Sequence, residues 1–218
     1  MIIICFPNKG LDMTTPVWTV AQMKAWEDTQ NREGLSYARM MEHAGSRAAK
    51  DLLCRFHSSQ HTLILCGKGN NAGDGLVLAR VLSLHGWPVT ILFLQGQRLS
   101  ALAETNWKCL PVTVNCIDTS QLYIVLPSVH LVVDAVYGTG FHGELPQAIA
   151  RCFDAVSQAD VFKVALDMPS GVAGDGEEIA AGSFQAQLTY AFQALKPAHC
   201  LEQGRRLCGE IVRIDLLD

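Results

Sequence analysis

Between Thr62 and Ile214 the chain returns six times to a short run of apolar residues: Thr62–Cys66, Val89–Leu94, His130–Val133, Phe162–Leu166, Leu188–Phe192 and Ile211–Ile214. A strand with one wet face alternates apolar and polar residues, whereas unbroken apolar runs of this length mark strands covered on both faces. Several runs are separated by stretches that can hold a helix, such as Gly73–His85 and Leu145–Ala159. That is the βαβ pattern of a mostly parallel sheet between two helical layers, an α/β three-layer sandwich. Upstream, apolar residues recur at helical spacing over Val20–Asn31 and Leu35–Phe56, which predicts two N-terminal helices. Gly45, inside the second, costs about 1 kcal/mol relative to Ala and predicts close contact with another backbone. No repeat or Gly/Pro-rich linker divides the chain, so one domain with an N-terminal helical arm is expected.

Composition narrows the function classes. Of the 218 residues 49% are hydrophobic and 17% charged, which excludes a disordered chain. The net charge of −4, with no Lys/Arg run, argues against nucleic acid as a partner. The longest apolar runs fall far short of the ~20 residues that cross a bilayer, so no membrane partner is expected. The apolar Met1–Phe6 run lacks the basic flank and cleavage pattern of a signal peptide, and Met13 can serve as an internal start that leaves Met1–Asp12 dispensable. Eight cysteines (Cys5, Cys54, Cys66, Cys109, Cys116, Cys152, Cys200 and Cys208) are scattered with no C-x-x-C pair and read as buried thiols of a reducing, cytoplasmic protein. A zinc site at His199-Cys200 or His57/His61 lacks the second ligand pair such sites show.

Ligands of a parallel α/β sheet bind beyond the carboxyl ends of its strands, and three loops there carry unusual residues. The first, Gly67–Gly75, is not a P-loop, because no Gly-Lys-Ser/Thr closes it. It matches the dinucleotide fingerprint as Gly67, Gly69 and Ala72, yet no acid for a ribose stands about 20 residues on, around Leu94-Gln95-Gly96, which disfavours an ordinary dehydrogenase. Its cluster Asn70, Asn71 and Asp74 offers oxygens that suit a hard cation, although the same residues serve equally as turn and helix-cap residues. The second loop, Asp134–Glu144, begins with a carboxylate at a strand end and is rich in glycine. The third, Asp167-Met168-Pro169-Ser170-Gly171, repeats the pattern with a proline-fixed turn and a hydroxyl. Any one of these is explained by turn chemistry; three aimed at one crevice point to a site.

Together these residues resemble the YjeF N-terminal domain family, the NAD(P)H-hydrate epimerases. Gly69-Asn70-Asn71-Ala72-Gly73-Asp74-Gly75 is similar to the family's G-N-N-G-G-D-G, Asp134–Gly140 to D-A-x-x-G-T-G, and Asp167–Gly171 to D-x-P-S-G. Met40-Met41-Glu42-His43-Ala44-Gly45 resembles the L-M-E-x-A-G helix and Ala194-Leu195-Lys196-Pro197 the late K-P turn. The resemblance covers about Thr19 to Asp215, placing the domain at residues 19–218 after an extension at 1–18. It implies a Rossmann-like fold and an isomerase that interconverts the R and S forms of hydrated NADH and NADPH in cofactor repair. It further implies one potassium ion per subunit, held by Asn71, Asp134 and Ser170, and hydrate-binding groups at Asn70, Asn71, Ala72, Gly73 and Asp74, at Gly138, Thr139, Gly140, Phe141, His142, Gly143 and Glu144, and at Asp167. Asp167 would be the main catalytic group and Lys196 a second proton-transfer or hydroxyl-positioning group, although a Lys-Pro turn is also a common surface feature.

Two departures stand out. Ala72 replaces a glycine, which adds a methyl where backbone should approach the ligand, and His142-Gly143-Glu144 is only loosely similar to the family. The sequence ends at Asp218, so the dehydratase that follows in many bacterial relatives is expected either as a separate protein acting downstream or as a domain cut from a longer chain. The first helix is compatible with a homodimer. The competing reading is a non-catalytic YjeF-type module for dimerisation or binding, which the presence of Asn70, Asn71, Asp74, Asp134, Asp167 and Ser170 disfavours.

Overall fold

The structure is a computed structural model that describes residues 15–176 and 178–217. Two helices come first, α1 (Val20–Arg32) and α2 (Tyr37–Arg55), followed by β1 (Thr62–Cys66), α3 (Asn70–Leu84), β2 (Val89–Phe93), α4 (Ala101–Lys108), β3 (Asn115–Ile117), α5 (Leu122–Val125), β4 (Leu131–Ala135) and α6 (Gln147–Gln158). Then come β5 (Phe162–Leu166), β6 (Leu188–Phe192), α7 (Pro197–Cys200), α8 (Glu202–Cys208) and β7 (Glu210–Ile214). Among the described residues seven strands lie in the order β3-β2-β1-β4-β5-β6-β7, and every neighbouring pair is parallel. The order reverses between β1 and β4, which opens a crevice where the chain leaves these two strands in opposite directions.

Side chains alternate across a strand, so each apolar run feeds two cores. Ile64, Cys66, Val133 and Leu166 face the layer of α1 to α4, with Met40, Leu52 and Leu76. Leu63, Leu65, Val132 and Ala165 face α5 and α6, with Ile149, Phe153 and Val156. The expected sandwich is therefore the observed one. Gly45 has the predicted role: a Cβ there would lie 2.4 Å from the Asp74 carbonyl oxygen and 2.6 Å from the Val77 Cβ, so glycine lets α2 press onto the first turns of α3.

Several expectations need correction. β3 was not anticipated, because this three-residue edge strand carries no apolar run and is largely exposed. β4 runs two residues past Val133, since Leu65 of β1 pairs with Asp134 and Cys66 with Ala135; Asp134 thus lies within a buried strand rather than in the loop. α3 begins at Asn70 rather than near Gly73, with Gly69 as its N-cap. Cys66, Cys152 and Cys208 are buried, but Cys54, Cys109, Cys116 and Cys200 are exposed, Cys116 on the edge strand and Cys109 and Cys200 at helix ends, and Cys5 lies outside the described residues. Residues 1–14 lie outside the described residues, and with them the reading of Met1–Asp12 as dispensable. The end of the expected extension is joined to the domain: Leu195 N–H donates to Pro16 O and Trp18 N–H to Leu195 O, at 2.9 and 2.8 Å. Among the described residues no helix is long and apolar enough to cross a membrane.

Candidate active site

A cleft of about 440 Å³ opens at the carboxyl ends of the central strands. Its floor comes from the first turn of α3, the loop after β4, Asp167 after β5, and Phe192 and Lys196 from the end of β6 and its loop. Met23 and Glu27 of α1 and Tyr37, Met40, Met41 and Ala44 of α2 form a helical wall above it. All three loops singled out in the sequence contribute to it.

Asp167 is the most constrained residue here. It takes φ +63°, a left-handed conformation that Asp tolerates better than most residues. The turn aims its main chain and side chain at different partners: its N–H donates to Tyr190 O at 2.8 Å, and Oδ2 accepts from the Thr139 N–H at 3.0 Å. Oδ1 accepts from Lys196 Nζ. Gly138 makes the Thr139 contact feasible, since a Cβ there would come 2.9 Å from Asp167 Oδ2. Lys196 is fully buried, which overturns the surface reading of the Lys-Pro turn; Nζ also donates to Phe192 O at 2.9 Å. An ammonium carries three donors, so one N–H remains for the cleft.

His199 supports both members of the pair. Its Nδ1 accepts from the Lys196 N–H at 2.9 Å, so Nε2 must carry the proton of a neutral ring, and it donates to Asp167 O at 3.0 Å. Burial first, then the neighbouring Lys196 charge, push its pKa down to about 3, against an opposing pull from Asp167. Asp167 itself shows a contest of effects: burial favours its neutral form, but the Lys196 charge and hydrogen bond and the Thr139 N–H together hold it below the usual carboxylate value. It is therefore an anion in the cleft.

Two further carboxyls behave in the opposite way. Burial, followed by the charges of Asp167 and Glu27, raises Asp74 well above its ordinary value. Burial, then Asp167, push Glu27 up to about 7. Glu27 was missed in the sequence. Its signal was a carboxylate four residues after Met23, on the helix face that carries the buried methionine.

Beneath the cleft lies a group of oxygens. Asp134, fully buried, accepts from Ser170 N–H at 2.7 Å, Ser170 Oγ at 2.7 Å and Val136 N–H at 3.1 Å. Ser170 Oγ in turn accepts from Tyr137 N–H at 2.8 Å, which stitches the loops after β4 and β5 together. Burial raises the Asp134 pKa to about 7 against these hydrogen bonds, and no basic side chain among the described residues pairs with it. Asn71 is buried with neither Oδ1 nor Nδ2 partnered among the described residues. Among the described residues no three His, Cys, Asp or Glu side chains gather as a metal site, so the oxygens at hand are amide, carboxylate and hydroxyl.

The other residues named from the sequence divide. Asn70, Gly138, Thr139, Gly140 and Phe141 line the cleft, and Asn70 Oδ1 accepts from Ser100 Oγ at 2.8 Å. Ala72 and Gly73 do not line it: both face inward on α3, and the Ala72 methyl belongs to the core under α2. Ala72 has no positive φ, so the methyl costs no ligand contact of its own. His142, Gly143 and Glu144 are exposed and off the cleft, with Gly143 N–H donating to Glu178 at 3.1 Å.

The chain matches the family described as YjeF-related protein N-terminus over residues 37–198. It is 33% identical over 201 residues to the bifunctional NAD(P)H-hydrate repair enzyme Nnr of Coxiella burnetii, a match covering 91% of this chain and 41% of that protein. It is 30% identical to the NAD(P)H-hydrate epimerase of Limosilactobacillus reuteri, covering 92% and 95%. The chain thus spans about two fifths of the bifunctional relatives it matches and nearly all of the epimerase. The crystal structure of the yeast protein YNL200c has the same fold, with a TM-score of 0.73 at 20% identity over 90% of this chain and 86% of that one. With three quarters of its length matched, 162 of 218 residues, the chain belongs to the YjeF N-terminal family.

Proposed function

We propose that this chain is an NAD(P)H-hydrate epimerase, an isomerase that interconverts the R and S forms of hydrated NADH and NADPH. The observation that carries the reading is the buried Asp167–Lys196 pair at the bottom of the cleft. The hydrate bears a hydroxyl on the carbon beside the ring nitrogen. Protonating and expelling it as water leaves an iminium cation, and water adding from the other face gives the opposite epimer. The Asp167 carboxylate, fixed as an anion, stabilises that cation at no cost of reorientation. Lys196 holds Asp167 in place and has one N–H to position the hydroxyl. Met23, Met40 and Phe192 supply apolar surface for the ring. The amides of the first turn of α3, whose N-cap Gly69 offers no side chain, suit the dinucleotide phosphates.

Asn71, Asp134 and Ser170 would hold a potassium ion. The unpartnered buried Oδ1 of Asn71 and the uncompensated Asp134 carboxylate fit a monovalent or other hard cation that takes oxygen ligands. When bound, the ion supplies positive charge that stiffens the loops after β4 and β5. The bifunctional relatives support a dehydratase as the activity that takes the next step. Four exposed free thiols favour a reducing cytoplasm.

The test is to follow purified R-NADHX into its S form by chromatography, in potassium buffer, against the uncatalysed rate. Acceleration is expected. Folded protein that gives none would return the chain to the binding-module reading.

A further inference from the structure

We infer that Glu27 of α1 is a catalytic acid of this cleft, the group that hands its proton to the departing hydroxyl. The inference rests on the epimerase reading. An ionised Asp167 tied to Lys196 and Thr139 has no proton to give, and a Lys196 ammonium that gave up its own would leave that buried anion uncompensated, so the site needs an acid from another element. Glu27 lines the cleft from the helical wall, and its carboxyl takes no hydrogen bond or ion pair among the described residues. Its helix is firmly placed. Thr19 and Gln22 form a capping box, Val20 N–H donates to Asp175 Oδ1 at 2.8 Å, and the Tyr37 hydroxyl of α2 donates to Asp28. A carboxyl held over a cleft and left without a partner is available to a ligand.

The groups around it explain why it keeps a proton. Asp74 faces it from α3 and Asp167 from the loop after β5, with Lys196 after β6, Tyr37 on α2, and Lys24 and Asp28 on its own helix. Burial and Asp167 outweigh the two lysines and place its pKa near neutrality, where a general acid works best. One carboxyl lowered and a neighbour raised is the pattern that separates an electrostatic stabiliser from an acid.

The step balances without a co-reactant. The O–H bond of Glu27 breaks and its proton passes to the substrate hydroxyl; the C–O bond breaks, its electron pair leaving with water, while the ring nitrogen forms the iminium. A second water then adds to the carbon, the nitrogen recovers its pair, and the excess proton returns to the Glu27 carboxylate.

The experiment measures R-to-S epimerisation of NADHX between pH 6 and 9 for the wild type, Glu27→Gln and Asp74→Asn. Expected are a wild-type kcat/KM that falls above about pH 7, and a Glu27→Gln variant with turnover lowered ~10²-fold, KM little changed and that fall abolished. Wild-type turnover and pH profile in folded Glu27→Gln would overturn the inference while leaving the epimerase reading intact. A fall that persists in Glu27→Gln and vanishes in Asp74→Asn would also overturn it, giving the role to Asp74. No acceleration by the wild type would overturn both. Should Glu27→Gln not fold, Glu27→Asp, which keeps the acid and withdraws it by one methylene, decides: slower turnover at unchanged KM supports the role, and wild-type turnover overturns it.

Discussion

Lys196 Nζ meets Asp167 Oδ1 in a pair whose side chains are 1% and 13% exposed, and Asp167 holds φ +63° to make it. Bringing such charges out of water costs several kcal/mol per ion, and their attraction offsets that only when the remaining donors and acceptors are satisfied. Here Phe192 O and the Thr139 N–H do so for all but the one Lys196 N–H that faces the cleft, while His199 ties the main chains of the two residues together. Removing one partner leaves the other buried and uncompensated. Lys196→Met is therefore expected to lower stability by about 3 kcal/mol or more, read from urea unfolding. Asp167→Asn, which keeps one oxygen acceptor, is expected to fold yet lose at least ~10²-fold in epimerisation. Full activity of the Asn variant would remove Asp167 from the chemistry.

The six apolar runs and the two helical arms were legible because burial on both faces writes itself into sequence. The limits of that legibility are physical. Asn115–Ile117 is a largely exposed edge strand that packs only Ile117 against the core, and Asp134 belongs to a strand because of its register with Leu65, a pairing no local pattern contains. At the site, the motif loops were visible as strand-end oxygens, but motif membership did not separate Asn71, buried and unpartnered, from Ala72 and Gly73, which face the core. Lys196 was named as a proton-transfer or positioning candidate, but the sequence left a surface Lys-Pro turn open until the fold enclosed the side chain. Glu27 lay on an apolar helix face, which announces burial but not the company of Asp167.

Gly45 offers a test of how tightly the site depends on packing behind it. A methyl at this position meets backbone, the Asp74 carbonyl, and Val77 cannot move without shifting α3. Gly45→Ala should be destabilised by about 1–3 kcal/mol despite the better helix propensity of alanine. Because Asp74 takes the displacement, KM for the hydrate is expected to rise as well. A variant as stable as the wild type in urea would show that α2 does not press on α3 as described.

Glu27 also sets a pH dependence of stability. Its proton is held to about pH 7 in the folded chain and to an ordinary 4.5 in the unfolded one. Below 4.5 both states are protonated and nothing is lost. Between 4.5 and 7 unfolding releases a proton, so stability falls as pH rises, and above 7 the deficit is complete. Glu27→Gln removes the titration, and should be more stable than the wild type at pH 8 by on the order of 1–2 kcal/mol, allowing for solvent screening. The two should converge near pH 4. A difference in melting temperature that stays constant from pH 4 to 9 would rule out a raised Glu27.

Potassium gives the last test. Among the described residues Asp134 is tied to Ser170 and Val136 but has no cationic partner, and Asn71 Oδ1 has no donor. An ion taken up by the folded chain alone adds stability that grows with its concentration, about 2.7 kcal/mol at a hundred times its dissociation constant. Melting in potassium chloride is thus expected above melting in tetramethylammonium chloride at equal ionic strength. Asn71→Ala, which removes the unpartnered oxygen but leaves the Asp134 hydrogen bonds in place, should lose this difference. Screening alone would act equally through both salts, so identical melting temperatures for the wild type would leave Asp134 a structural carboxyl whose charge is weakened by burial rather than balanced by an ion, in line with its raised pKa.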